Sequence, residues 1–277
     1  MEKIAIIQYP GSNCEHETVR AVVSAGLEAE IFRWNKDAAG LCEFDGYIIS
    51  GGFSYQDRVR AGVIAAKQRI VQTIIEESQS GKPVLGICNG AQVLVEAGLV
   101  PANHFGQIEM ALAPNLVKGR SGYYCEWVYL KVKSKRSVFT GLFKEGEVFP
   151  IPVAHAQGRF VTREEGLLDA LKENGQIAFA YCREDGQELD EFPINPNGSL
   201  ANIAGLSNPS GNVLALMPHP ERANWLFQVP TDLENKYSKD KREALGRIDK
   251  MRSPGPARRI FESMKEYIKE SKGGNLR

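Results

Sequence analysis

Apolar residues along the chain fall into short blocks separated by polar and glycine-rich stretches. Ile4-Ala5-Ile6-Ile7, Ala29-Glu30-Ile31-Phe32 and Gly46-Tyr47-Ile48-Ile49 read as strands, and Val84-Leu85-Gly86-Ile87 and Val213-Leu214-Ala215-Leu216-Met217 read as further, buried ones. Helical patterns fill residues 15–26 and 61–80 between them. Strands alternating with helices predict an α/β protein in three layers, α/β/α, with a mostly parallel central sheet covered on both faces. The texture changes near residue 123, after which 127–132, 149–154 and 176–182 look strand-like with few helical periods between them, so antiparallel strands are expected there. Beyond residue 222 a charged stretch, 232–252, reads as solvated surface, and Ile260, Phe261, Met264 and Ile268 recur at helical spacing within 257–268. We therefore expect one domain over 1–222 and a C-terminal extension over 223–277, packed on it or appended to it.

Composition narrows the classes of function. With 277 residues the chain is long enough to bury a substantial core. Lys plus Arg and Asp plus Glu number 34 each, so nothing in the charge favours capture of nucleic acid or an anionic membrane, and a small polar substrate fits better. The five cysteines, Cys14, Cys42, Cys88, Cys125 and Cys182, are odd in number, scattered and without CxxC spacing. They predict neither a disulfide framework nor a metal site, and a reducing, cytoplasmic location. The apolar run after Met1 is too short for a signal-peptide core, and no stretch approaches the roughly 20 apolar residues of a membrane span.

The chemistry concentrates at strand ends. Cys88 sits in Gly86-Ile87-Cys88-Asn89-Gly90, where a strand runs into a turn and then a helix-compatible stretch. That pattern displays a nucleophile at a sharp elbow, and side chains at Gly86 and Gly90 would clash with the neighbouring backbone. A free thiol titrates near about 8.5, so such a cysteine needs a helix amino terminus and a base beside it. His219 and Glu221 follow the last apolar run two residues apart, which on an extended backbone puts both on one side, the carboxylate orienting the imidazole. The N–H of Asn89 is placed to stabilise an oxyanion, and the Gly51-Gly52 pair supplies the best second donor, one such donor being worth about 3 kcal/mol. Acyl transfer is the implied reaction class. Ser12 and Glu15 also match a capping box, Asn197-Gly198 is a turn signal, His155 fits a strand-end residue outside the chemistry, and the four other cysteines read as passive.

These residues carry a resemblance. Gly86-Ile87-Cys88-Asn89-Gly90-Ala91-Gln92 with His219-Pro220-Glu221 is similar to the class I glutamine amidotransferases, which have a flavodoxin-like fold and hydrolyse glutamine to glutamate and ammonia. Pro10-Gly11-Ser12-Asn13-Cys14, Ser50-Gly51-Gly52-Phe53-Ser54-Tyr55, Pro196-Asn197-Gly198-Ser199 and Met217-Pro218-His219-Pro220-Glu221-Arg222 narrow it to the branch that serves phosphoribosylformylglycinamidine synthase, an enzyme of purine biosynthesis. The resemblance spans residues 3–222. It implies Cys88 as the nucleophile forming a glutamyl thioester, His219 as the proton carrier, Glu221 as its orienting group, Gly52 and Asn89 as the oxyanion hole and Gln92 as a contact to the amino-acid end of glutamine. It also implies two partners, a large synthetase subunit that uses ATP and Mg, and a small third subunit, with no cofactor on this chain. No Gly-x-x-x-x-Gly-Lys-Ser/Thr loop occurs here, consistent with ATP being handled elsewhere. Two positions depart from the pattern: Gln56 stands where glycine is expected, and His155-Ala156-Gln157-Gly158 replaces His-Gly-Glu-Gly. The alternatives are another cysteine-elbow hydrolase of the same fold, such as a peptidase or deglycase, or a catalytically silent regulatory or binding subunit of an amidotransferase complex.

Overall fold

A computed structural model of the chain describes residues 1–117 and 119–274. The first four apolar runs form β1 (Lys3–Gln8), β2 (Glu28–Arg33), β3 (Gly46–Ile49) and β4 (Val84–Ile87). Between them lie α1 (Glu15–Ser24), α2 (Val63–Ala66) and α3 (Arg69–Gln79). The helical pattern over 61–80 is thus two helices, because Gln68 takes an extended backbone that ends α2 and starts α3. Ile4, Ala5, Ile6 and Ile7 are all buried, as are all four residues of β3 and of β4. Successive strand residues point to opposite faces, so burial without alternation means that helices cover both sides.

The expected Ser12–Glu15 capping box does not form. The N-cap of α1 is Cys14, without a side-chain cap bond; Ser12 Oγ accepts instead from the Tyr9 N–H at 3.0 Å, and Gln8 Nε2 donates to Glu15 Oε1 at 2.6 Å. The Tyr9–Cys14 loop is shaped by its own contacts and by the neighbouring strand end rather than by the helix it precedes.

After α4 (Asn89–Glu96) come β5 (Ala111–Ala113), β6 (Leu116–Val117), β7 (Arg120–Ser121), β8 (Tyr124–Val132), β9 (Val148–His155) and β10 (Arg159–Val161). Then follow α5 (Leu167–Glu173), β11 (Ile177–Cys182), β12 (Ile203–Ser207) and β13 (Val213–Leu216). Nine strands make one sheet in the order β2-β1-β3-β4-β13-β12-β11-β8-β9. From β2 to β13 every pairing is parallel, and from β13 to β9 every pairing is antiparallel. The mostly parallel sheet expected from the sequence is therefore parallel in one half, the half that carries Cys88, and antiparallel in the region after residue 123.

The C-terminal segment contributes α6 (Lys236–Ala244), α7 (Ile248–Met251) and α8 (Arg258–Lys272). Ile260, Phe261, Met264 and Ile268 of α8 are buried in the same hydrophobic cluster as β1, β3 and β4. Each such burial contributes about 2 kcal/mol. Because β1, β3, β4 and β13 run parallel, their carboxyl ends share one edge. The segments that leave that edge, 9–14, 50–57, Cys88 and 217–222, meet there, as ligand-binding loops of open α/β sheets do.

Candidate active site

Cys88 occupies the step from β4 to α4 with φ 51° and ψ −104°. A non-glycine residue held this way stores about 1–3 kcal/mol of strain, so its surroundings must enforce it. Two backbone bonds do so: the Cys88 N–H donates to Leu216 O at 2.8 Å, and Cys88 O accepts from the Gln92 N–H at 3.2 Å. The flanking glycines allow the approach. A Cβ on Gly86 would lie 2.5 Å from Gly90 O, and one on Gly90 would collide with the carbonyl oxygen of Ile49. The thiol is buried and donates to Ala154 O on β9 at 3.6 Å.

His219 lies three residues beyond the end of β13, its N–H held by Pro152 O at 2.9 Å. Sequence spacing suggested an extended His-x-Glu segment, but residues 220–222 form a single 3₁₀ turn. The turn brings the two side chains together more closely than a strand would: His219 Nδ1 is 2.5 Å from Glu221 Oε1, with both residues fully buried. That contact keeps a proton on Nδ1 and leaves Nε2 for a different partner; Nε2 is buried and bonds to no protein group among the described residues. Burial works to lower the His219 pKa, but the Glu221 carboxylate, followed by the Cys88 and Cys14 thiols, outweighs it and raises the ring well above its ordinary value.

Cys88, His219, Gly52 and Gln92 line one cleft of about 470 Å³, its open mouth included. Gln92 is held at both ends, its Nε2 donating to Gln157 O at 2.7 Å and its Oε1 accepting from Asn89 Nδ2 at 2.8 Å. Asn89 does not line the cleft with its side chain, which also accepts from the Ser54 N–H at 3.0 Å. Its backbone N–H, like that of Gly52, bonds to no protein acceptor among the described residues, as expected at the first turn of a helix. Close approach of a substrate is not what makes glycine necessary at position 52. A Cβ there would lie 2.7 Å from Gly11 O and from Ser12 Cα, with φ at +144°, whereas one on Gly51 would lie 2.9 Å from His219 Cε1 and 3.1 Å from Cys14 Sγ.

Cys14, read from the sequence as passive, is inside the site. Its sulfur accepts from Arg222 Nη2 at 3.1 Å and donates to Asn13 Oδ1 at 3.0 Å, while burial, only partly offset by His219, pushes its pKa up. The sulfur also lies within 4.8 Å of ligand atoms of His219 and Glu221. Arg222 is fixed by Glu17 at 2.9 Å. His155 ends β9 on the cleft wall, its Nδ1 facing Asn115 Oδ1 at 3.1 Å, and Gly158 is glycine because a Cβ would strike the His155 ring. Asn197 Nδ2 supports the same wall by donating to Gly158 O at 2.9 Å. Asn115 gave no signal in the sequence, since a lone asparagine after proline looks like any turn.

Residues 1–268 match the family model for the CobB/CobQ-like glutamine amidotransferase domain. The chain is 48% identical over 276 residues to the phosphoribosylformylglycinamidine synthase subunit PurQ of Methanothrix thermoacetophila, covering 97% of this chain and 98% of that one. It is 45% identical over 227 residues to the subunit of the same name from Pyrococcus furiosus, covering 82% and 92%. Among solved structures it superposes on a chain of PurLQS from Thermotoga maritima with a TM-score of 0.70 and 30% identity, over 96% of this chain and 99% of that one. The glutaminase domain of Trypanosoma brucei CTPS, solved with bound acivicin, shares the fold with a TM-score of 0.55 at 13% identity, over 98% of this chain and 94% of that one. With its elbow at the carboxyl edge of a partly parallel sheet, this chain belongs to the CobB/CobQ-like glutamine amidotransferase domain family.

Proposed function

We infer that this chain is the glutaminase subunit of a phosphoribosylformylglycinamidine synthase in purine biosynthesis. It hydrolyses glutamine and passes the ammonia to a large synthetase subunit, in an assembly completed by a small third subunit. The observation that carries the chemistry is the convergence on one buried cleft of the Cys88 thiol, on its strained elbow, and the His219–Glu221 pair.

The steps follow from those positions. Cys88 attacks the carboxamide carbon as the thiolate, its proton held on His219 Nε2, and the negative charge that develops on oxygen faces the N–H groups of Gly52 and Asn89. The imidazolium, stabilised by Glu221, gives its proton to the departing nitrogen, so ammonia leaves and a thioester remains. Nε2 then deprotonates a water that attacks the thioester, and glutamate is released with Cys88 restored. Gln92, locked between Asn89 and the Gln157 carbonyl, shapes the end of the cleft that receives the amino-acid group. Nucleophile, base and orienting carboxylate all belong to this chain, so glutamine hydrolysis requires no cofactor here; ATP and Mg serve the synthetase subunit. Among the described residues no helix is long and apolar enough to cross a membrane, and five free thiols suit a reducing cytoplasm.

Replacing Cys88 tests the assignment. In the complex assembled with the synthetase and third subunits, Cys88→Ala is expected to abolish glutamine-dependent turnover while turnover with free ammonia persists. Undiminished use of glutamine by the variant complex contradicts the role of Cys88, and an assembly that uses neither nitrogen source contradicts the assignment to this synthase.

A further inference from the structure

We propose that His104, Glu109 and Glu164 form a binding site for one divalent cation of the first transition row, outside the cleft that contains Cys88. None of the three lines that cleft. Their ligand atoms all lie within 4.8 Å of one another, with His104 Nδ1 2.8 Å from Glu109 Oε1 and 3.9 Å from Glu164 Oε1. Donors about 2.1 Å from a common ion and roughly at right angles stand about 3 Å apart, so the first separation already suits two ligands of one ion.

Proximity of acidic groups is common on surfaces; the state of Glu109 is not. Its side chain is 2% exposed, yet only Oε1 is engaged, by the His104 ring and by the His104 N–H at 3.2 Å. Oε2 is buried without a hydrogen-bond partner among the described residues. A buried carboxylate with one oxygen bare is unfavourable, and a cation at the cluster supplies the missing partner. His104 and Glu164 are exposed at 62% and 42% of their side-chain surface, which gives an ion an entry path and leaves positions for water.

The site has a rigid base. Strands β5 and β10 pair with Val161 opposite Ala111, so the paired ends lie shortly after Glu109 and shortly before Glu164 in sequence. Thr162 fastens the two ligand segments, its Oγ1 donating to Glu109 O at 2.7 Å and accepting from the Glu164 N–H at 3.0 Å. One imidazole nitrogen and two carboxylates without a thiolate favour Mn2+, Fe2+ or Zn2+ over soft ions. A bound ion ties the 103–109 loop to the segment after β10, and the residue preceding β10, Gly158, packs on the His155 ring of the cleft wall.

The test uses the full chain, stripped with a chelator and titrated with Mn2+ while free Mn2+ is read by electron paramagnetic resonance, and with Zn2+ in competition with a chromophoric chelator. Saturable uptake of one equivalent of either ion is expected, weakened at least tenfold in Glu109→Gln and in His104→Ala and retained in Cys88→Ala. If Glu109→Gln does not fold, His104→Ala and Glu164→Gln, both at exposed positions, carry the comparison. The proposal is overturned by absence of saturable uptake of both ions, by unchanged uptake in His104→Ala and Glu164→Gln, or by loss of uptake in Cys88→Ala, which would place the ion on the thiols.

Discussion

Glu221 does not itself line the cleft, yet the chemistry proposed for His219, which does, depends on it. Its carboxylate holds the imidazole proton on Nδ1 and offsets the effect of burial on the ring. Glu221→Gln preserves shape but removes the charge that stabilises the imidazolium. We expect kcat for glutamine hydrolysis to fall by about 10²–10⁴-fold with little change in thermal stability, by the logic that governs the carboxylate of a nucleophile–His–acid triad. Steady-state kinetics of the assembled complex check this; a kcat within threefold of the parent removes Glu221 from the mechanism. Gln56 poses a backbone question. It stands where the resemblance leads us to expect glycine, and it has φ 61°, beside Tyr55 at 54° and Asp57 at 53°. A left-handed backbone costs an L-residue about 1–2 kcal/mol, and more for a β-branched one. Chemical denaturation should therefore find Gln56→Val less stable than Gln56→Gly by about 1–2 kcal/mol, and equal stabilities would contradict the loop geometry. The other departure is absorbed without strain. Ala156 is not among the positive-φ residues, and Gln157 meets Gln92 through its main-chain oxygen, which any side chain leaves in place.

Among elements, β9 does most to shape the cleft opposite the elbow, and its terminal residue titrates far from its ordinary range. Burial, helped by the nearby His219, lowers His155 to about 3 from 6.5. The unfolded chain therefore binds a proton at this residue between about pH 6.5 and 3 that the folded chain refuses. The stability His155 contributes is present above 6.5 and is lost as pH falls, at up to about 1.4 kcal/mol per unit. His219 acts in the opposite sense: its folded pKa is raised, so its contribution is complete below 6.5 and fades only as pH rises through the higher value. Urea unfolding at pH 7, 6 and 5 should show a flatter decline for His155→Gln than for the parent chain; parallel declines would mean that His155 is protonated in the folded state. Elements also show where sequence reading ran short. Uninterrupted apolar runs such as Ile4 to Ile7 announce buried strands, but β12 carries Ala204, Gly205 and Ser207 and lacks that signal. Gly205 is small because the Phe179 ring and Leu216 press on it, a tertiary reason with no local trace. The site was legible where a turn dictates chemistry, as at Gly86, Cys88 and Gly90, and where residues are near in sequence, as at His219 and Glu221. Cys14 and Asn115 were not legible, because each acts through partners far along the chain.

At the scale of the molecule, the parallel half of the sheet gathers Cys88 and the His219–Glu221 pair, and the antiparallel half brings β9 across to close the cleft. Helix α8 returns to the start of the chain, where Arg258 bonds to the Ser24 carbonyl and Lys265 Nζ donates to Ala25 O at 3.0 Å. The last helix is thereby integrated with α1 and the sheet, and its four buried apolar residues explain why the periodicity of 257–268 was readable. The central claim is that, of five free cysteines, one sulfur does the chemistry. Cys14 is the informative rival, since it shares the cleft and its sulfur lies within 4.8 Å of the same histidine. The most direct measurement is mass-spectrometric peptide mapping of the complex after exposure to a glutamine-mimicking electrophile, with and without excess glutamine. The account predicts a single adduct on Cys88 that glutamine suppresses; an adduct on Cys14 with Cys88 unmodified, or labelling that glutamine does not slow, would contradict it.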